Sequence, residues 1–171
     1  MNFEEEVSFD SNLHISDIKK KLIKITHKTK FKNDHLGVKN FYDVITNEYI
    51  KIYNFEGNIN DDNFKIFPLF DYGLNLILRP KITGIMKRKS DGTSIYLKFT
   101  LPYSMKIFLI VAVAINLLII TFGFIKSNNE ELNSWDNHLI FLLITYFFLH
   151  IFFNFKVKKS KEILIKVLNK K

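Results

Sequence analysis

The stretch PKITGIMKRKSDGTSIYLKFTLP, Pro80 to Pro102, decides the fold. Two β-rich runs, Pro80 to Lys89 and Thr93 to Leu101, flank Ser90-Asp91-Gly92. Asp-Gly between such runs is the strongest short-range signal for a β-hairpin. In the second run Ile95, Leu97, Phe99 and Leu101 share one face and Tyr96, Lys98 and Thr100 the other, so one face packs on a core. Pro102 stops the strand, and an uncharged run begins almost at once.

Toward the N-terminus the same pattern recurs. Tyr49 to Ile59 and Phe64 to Leu69 are β-rich and joined by Asn60, Asp61, Asp62 and Asn63, residues that favour turns. His27 to Tyr42 is polar and aperiodic and reads as loop. Ile15, Ile18, Leu22 and Ile25 recur at helical spacing among lysines, predicting a short amphipathic helix from Ser16 to His27 with Ser16 as its cap. Asn2 to Asp10 alternates Phe3, Glu5, Val7 and Phe9 on one face and reads as a strand.

Toward the C-terminus stand two uncharged runs of 19 residues, Ile107 to Ile125 and Asn137 to Phe155. The first holds 14 Ile, Leu, Val or Phe residues and the second 13. At roughly −0.3 to −0.6 kcal/mol apiece, each run gains about 4 to 8 kcal/mol toward insertion in lipid. Their length, about 28 Å as helix, predicts two transmembrane spans. The connector Ser127 to Asp136 carries three acidic residues and no basic one, whereas Lys156 to Lys171 carries seven Lys and one Glu. By the positive-inside rule both termini are then cytoplasmic and the protein is a two-pass component of the plasma (inner) membrane. The opening MNFEEEVSFD is no signal peptide.

The expected fold class is an α+β cytoplasmic domain, an antiparallel sheet of hairpins with a short amphipathic helix, plus a two-helix transmembrane hairpin. Its parts are residues 1–103 as the domain, 104–126 and 137–155 as the spans, 127–136 as an acidic external loop, and 156–171 as a basic tail. Ser160 could cap a helix in that tail, whose apolar stripe of Ile163, Leu164, Val167 and Leu168 docks on the sheet or lies on lipid. This division also accounts for a mean hydropathy of +0.03 in a chain one quarter charged, and it turns the net charge of +8 into a matter of placement.

The stretches Phe55-Glu56-Gly57-Asn58-Ile59, Phe64-Lys65-Ile66, Pro80-Lys81-Ile82-Thr83-Gly84 and Asp91-Gly92-Thr93-Ser94-Ile95 resemble a group of small bacterial two-span membrane proteins with a β-rich cytoplasmic domain. Where such proteins carry an Arg-rich strand and His-Pro-Phe, this chain has Phe99-Thr100-Leu101-Pro102-Tyr103. The group has no assigned activity, so the resemblance implies architecture and no chemistry.

Zero cysteines exclude disulfides, thiolate metal sites and cysteine nucleophiles. No phosphate loop, dinucleotide fingerprint, HExxH or GxSxG occurs. His14, His27 and His35 lack a second ligand at helical spacing, and Asp61 and Asp62 sit where a turn wants them. The chain therefore predicts no enzyme, no metal and no cofactor. Lys87, Arg88 and Lys89, with Lys156, Lys158 and Lys159, are candidate contacts for anionic lipid headgroups. Nucleic acid is not expected, because aromatic platforms do not interleave with these lysines. Within the apolar runs, Asn116 shares a depth with Thr145 and Tyr146 and is a candidate polar contact between them. The function these residues predict is a non-enzymatic interaction, accessory or regulatory module anchored to the bilayer. Its partners are the lipid bilayer and an unknown protein or a second copy. The alternatives are an enzyme acting on lipid or envelope substrates and a subunit of an oligomeric transport assembly. Convergence of polar residues such as His35 and Asp71 in a pocket would favour the enzyme.

Overall fold

The hairpin around Ser90 and Asp91 forms as its sequence predicts. β5 (Lys81–Lys89) and β6 (Gly92–Thr100) pair from Lys81↔Thr100 to Lys89↔Gly92. The computed structural model describes residues 3–28, 53–69, 79–126 and 133–169. The other elements are β1 (Glu4–Ser11), α1 (Ile15–Ile25), β2 (Thr26–Lys28), β3 (Phe55–Ile59), β4 (Asn63–Pro68), α2 (Tyr103–Lys126) and α3 (Asn133–Asn169).

The strands make one six-stranded sheet in the order β1-β6-β5-β4-β3-β2. It is not wholly antiparallel as expected, since β2 pairs with β3 in parallel, Thr26↔Phe55 to Lys28↔Gly57. The cause is α1, which carries the chain back to the end of the sheet where β1 began, so that β2 must run in the direction of β1. Helix α1 starts one residue earlier than its expected cap. His14 in extended conformation precedes it, its carbonyl accepting from Asp17 and Ile18, and no side chain caps the helix. At its other end α1 passes into β2 without a loop, and the buried Thr26 hydroxyl finds no partner among the described residues.

Strand alternation sorts the sheet into two faces. The inner face holds Phe64, Ile66, Ile82, Met86, Ile95, Leu97 and Phe99, all buried. Gly84 faces Phe64 in the register, and the ring fills the space a side chain would need: a Cβ there would lie 2.1 Å from the ring's Cζ. Across this face lie Ile18 and Leu22 of α1 and Val157, Leu164 and Leu168 of α3, each fully buried. The outer face of β1 carries Glu4, Glu6 and Asp10, charges that discourage pairing at this open edge.

The chain's C-terminal half departs from expectation. Lys156 begins no separate tail, because α3 runs unbroken for 37 residues. Ser160 is no cap either. It lies mid-helix, fully buried, with its hydroxyl donating 2.7 Å to the Lys156 carbonyl one turn back. The docked end is fixed by Lys161 Nζ on Glu5 Oε1 at 2.7 Å and by Ser11 Oγ donating to the Leu168 carbonyl at 2.7 Å.

The expected transmembrane hairpin is corrected as well: among the described residues no helix is long and apolar enough to cross a membrane. The two-pass placement in the plasma membrane with cytoplasmic termini loses its support with that hairpin. What the structure does show is an α+β fold of a six-stranded sheet and three helices among the described residues. Most of the residues expected as external loop, 127–132, lie outside the described ones, as does much of the predicted loop after His27.

Candidate attachment surface

Helix α2 begins where β6 ends. Pro102 accepts from the Met105 and Lys106 amides through its carbonyl, and the Leu101 amide donates to Phe3 across the edge of the sheet. Met105 and Phe153 are buried and continue the sheet's core up between α2 and α3. Beyond them a narrow stripe of α2, Leu109, Ala112 and Asn116, is half-buried. Ile107, Phe108, Ile110, Val111, Val113, Ile115, Leu117, Leu118 and Ile119 are each 43 to 67 % exposed. At 100° per residue these nine occupy about two thirds of the helix circumference. On α3, Leu143, Ile144, Phe147, Phe148, Ile151, Phe152 and Phe155 are exposed in the same way.

Of the residues expected to meet between the helices, Asn116 and Thr145 both lie on half-buried stripes. The Asn116 amide, however, donates 2.8 Å to the Ala112 carbonyl of its own helix. Tyr146 turns to Phe3, their rings edge to face with centroids 5.7 Å apart. Phe3 also meets His150 and Phe153 edge on, at 5.9 and 5.7 Å, so the residue before β1 clamps α3 at the rim of the sheet. His150 Nε2 lies 3.0 Å from Asn154 Nδ2, while its Nδ1 is buried without a partner among the described residues.

The six basic residues singled out as headgroup contacts are divided. Lys158 is exposed and Lys159 half-buried beside the apolar surface, but Lys156 is 2 % exposed, its stem enclosed where α3 meets the sheet. Lys87, Arg88 and Lys89 stand at the hairpin end of β5, about 20 to 27 Å along the strand from Lys81 and the exit of α2. There Lys87 Nζ sits 5.3 Å above the Tyr96 ring, and Lys89 binds Asp10 at 2.8 Å. The hydrogen bond from Lys89, with a second from Ser94, holds the Asp10 carboxyl below its usual range, and that same bond raises Lys89. The residues that sequence reasoning passed over are Lys24 and Lys106, both exposed and both at the α2 end of the sheet. Lys106 had a signal, since it closes the uncharged run. Lys24 had none, because only the return of α1 across the sheet brings it to that end.

The described residues include no group of three or more His, Asp or Glu placed to hold a metal. A half-open cavity of about 420 Å³ lined by Asp10, Asn12, Leu13 and Asn169 lies at the hairpin end, with Asp10 already engaged by Lys89 and Ser94. His35 and Asp71 lie outside the described residues. Comparison with known proteins returns no match: no family model fits the sequence, and no curated protein and no solved structure matches it.

Proposed function

We propose that this protein is a non-enzymatic interaction module: the sheet with its docked helices is the water-facing part, and the α2–α3 pair is the attachment surface. One observation carries the reading. A helix apolar around most of its circumference is stable only where apolar matter covers it, and here about two thirds of the circumference of α2 over Ile107 to Ile119 is apolar and uncovered by the other described residues. The sheet beside it shows the opposite pattern, an outer face of Glu4, Glu6, Asp10 and Lys98 in ion pairs. The two surfaces meet at Tyr103, which is 71 % exposed.

Purification of the full chain with and without a mild detergent tests this. The expected result is a monodisperse, folded protein in detergent that aggregates on its removal. A monodisperse monomer in plain buffer, with unchanged circular dichroism, would contradict it.

A further inference from the structure

Three lysines from three helices stand at the end of the sheet from which α2 leaves. Lys24 is in the last turn of α1, and the strand that follows starts at Thr26↔Phe55, with Phe55 in turn paired to Pro68 at that end. Lys106 is in the first turn of α2. Lys158 lies on α3 between Phe153, which packs on Phe3, and Lys161, which binds Glu5. All three are exposed, and among the described residues no ion pair engages any of them. The nearby carboxylates are already matched, Glu4 and Glu6 to Lys98 and Glu5 to Lys161. Glu162, also exposed, lies one turn further from the rim than Lys158. The rim is thus a band of cations bordering directly on the exposed apolar surface, with Tyr103 on the border.

A protein partner would have to supply a long apolar patch and an acidic border at the same spacing. A lipid surface supplies both without any specific geometry: acyl chains, and beside them a layer of phosphates. We infer that Lys24, Lys106 and Lys158 take the phosphates of anionic lipid headgroups while the apolar surface of α2 and α3 lies against acyl chains, an inference that rests on the attachment reading. It asks only that apolar surface and cations share one boundary, and it does not depend on either helix crossing a bilayer. A basic residue held near an anionic surface strengthens binding about fivefold, and the effect fades with salt.

The test delivers the full chain from mild detergent to phosphatidylcholine vesicles, and to the same vesicles containing phosphatidylglycerol, and reads the bound fraction by flotation. Tighter binding to the phosphatidylglycerol vesicles is expected. The triple variant Lys24→Gln, Lys106→Gln, Lys158→Gln should lose that preference by about a hundredfold, with binding to phosphatidylcholine retained. The corresponding triple Lys→Arg variant should keep it. Lys87→Gln with Arg88→Gln, at the opposite end of the sheet, should change neither. Equal binding to both vesicles, or a Gln triple variant that keeps the preference, overturns the headgroup inference and leaves the attachment reading standing. Binding to neither vesicle, with the chain dispersed in buffer, overturns both.

Discussion

At the scale of the residue, the sheet's inner face is packed tightly enough that single atoms decide. Gly84 exists as glycine because the buried Phe64 ring occupies its side-chain space. Gly84→Ala forces that ring off its site and is expected to cost about 1 to 3 kcal/mol, read as a lowered midpoint in denaturant. Thr26 is the converse case: its hydroxyl is buried with no partner among the described residues, so Thr26→Val, which keeps the shape and removes that group, should raise stability by about 1 kcal/mol in the same assay. The alternation that places Ile95, Leu97 and Phe99 inward is legible in the sequence, because a strand has a period of two whatever surrounds it. The burial of Lys156 is not. A lysine within Lys156, Lys158, Lys159 and Lys161 reads as solvated, and only the docking of α3 on the sheet shows which of the four turns inward.

At the scale of the element, α3 joins two kinds of surface in one rigid rod. Leu143, Ile144, Phe147, Phe148, Ile151 and Phe155 are exposed along it, and its second half covers the sheet through Val157, Leu164 and Leu168. Leu164→Ala should cost about 2 to 5 kcal/mol by leaving a cavity at the centre of that contact. Hydrogen exchange should then show the amides of residues 160–168 losing protection before those of β5 and β6. If the two segments lose protection together, α3 is no separable layer. The sequence suggested a break at Ser160 because serine favours caps. A cap satisfies amides with no partner one turn upstream, and in an unbroken helix those amides are already bonded, which leaves the hydroxyl to the Lys156 carbonyl. The direction of β2 was hidden for a related reason: only three residues long, it follows the helix that delivers it.

At the scale of the whole molecule, the exposed ion pairs of Lys89 with Asp10, Lys19 with Asp61 and Lys98 with Glu4 and Glu6 lie at the hairpin end and on the outer face, and the α2–α3 end carries the uncovered hydrocarbon with its border of lysines. The exposed pairs set a pH window. Hydrogen bonds from Lys98, Lys89 and Lys19 lower the carboxyls of Glu6, Asp10 and Asp61 from their usual 4.5, 3.8 and 3.8. Stability from these groups is present above those values and lost as pH falls through the lowered ones. Lys98, raised by its bonds to Glu4 and then Glu6, and Lys89, raised by Asp10, contribute stability below 10.5 that is lost as pH climbs past the raised values. Denaturation midpoints in detergent should therefore be flat between about pH 5 and 10 and fall on both sides. Because the groups are exposed, added salt should flatten both edges. Composition and the two uncharged runs made the apolar end legible, but they pointed to a pair of spans that the described helices do not support. Apolar length along a sequence does not say where a helix docks, and α3, still exposed at Phe155, is covered at Lys156 and Val157.

The chain has no native cysteine, so an environment-sensitive fluorophore can be placed at one introduced thiol at a time. Labels at Val113→Cys of α2 and Phe147→Cys of α3, compared with one at Asp91→Cys in the β5–β6 turn, measure the central claim directly in lipid vesicles. Blue-shifted emission shielded from iodide at 113 and 147, with water-like emission at 91, is the predicted result. Water-like emission at all three positions in a folded, vesicle-bound protein would contradict it.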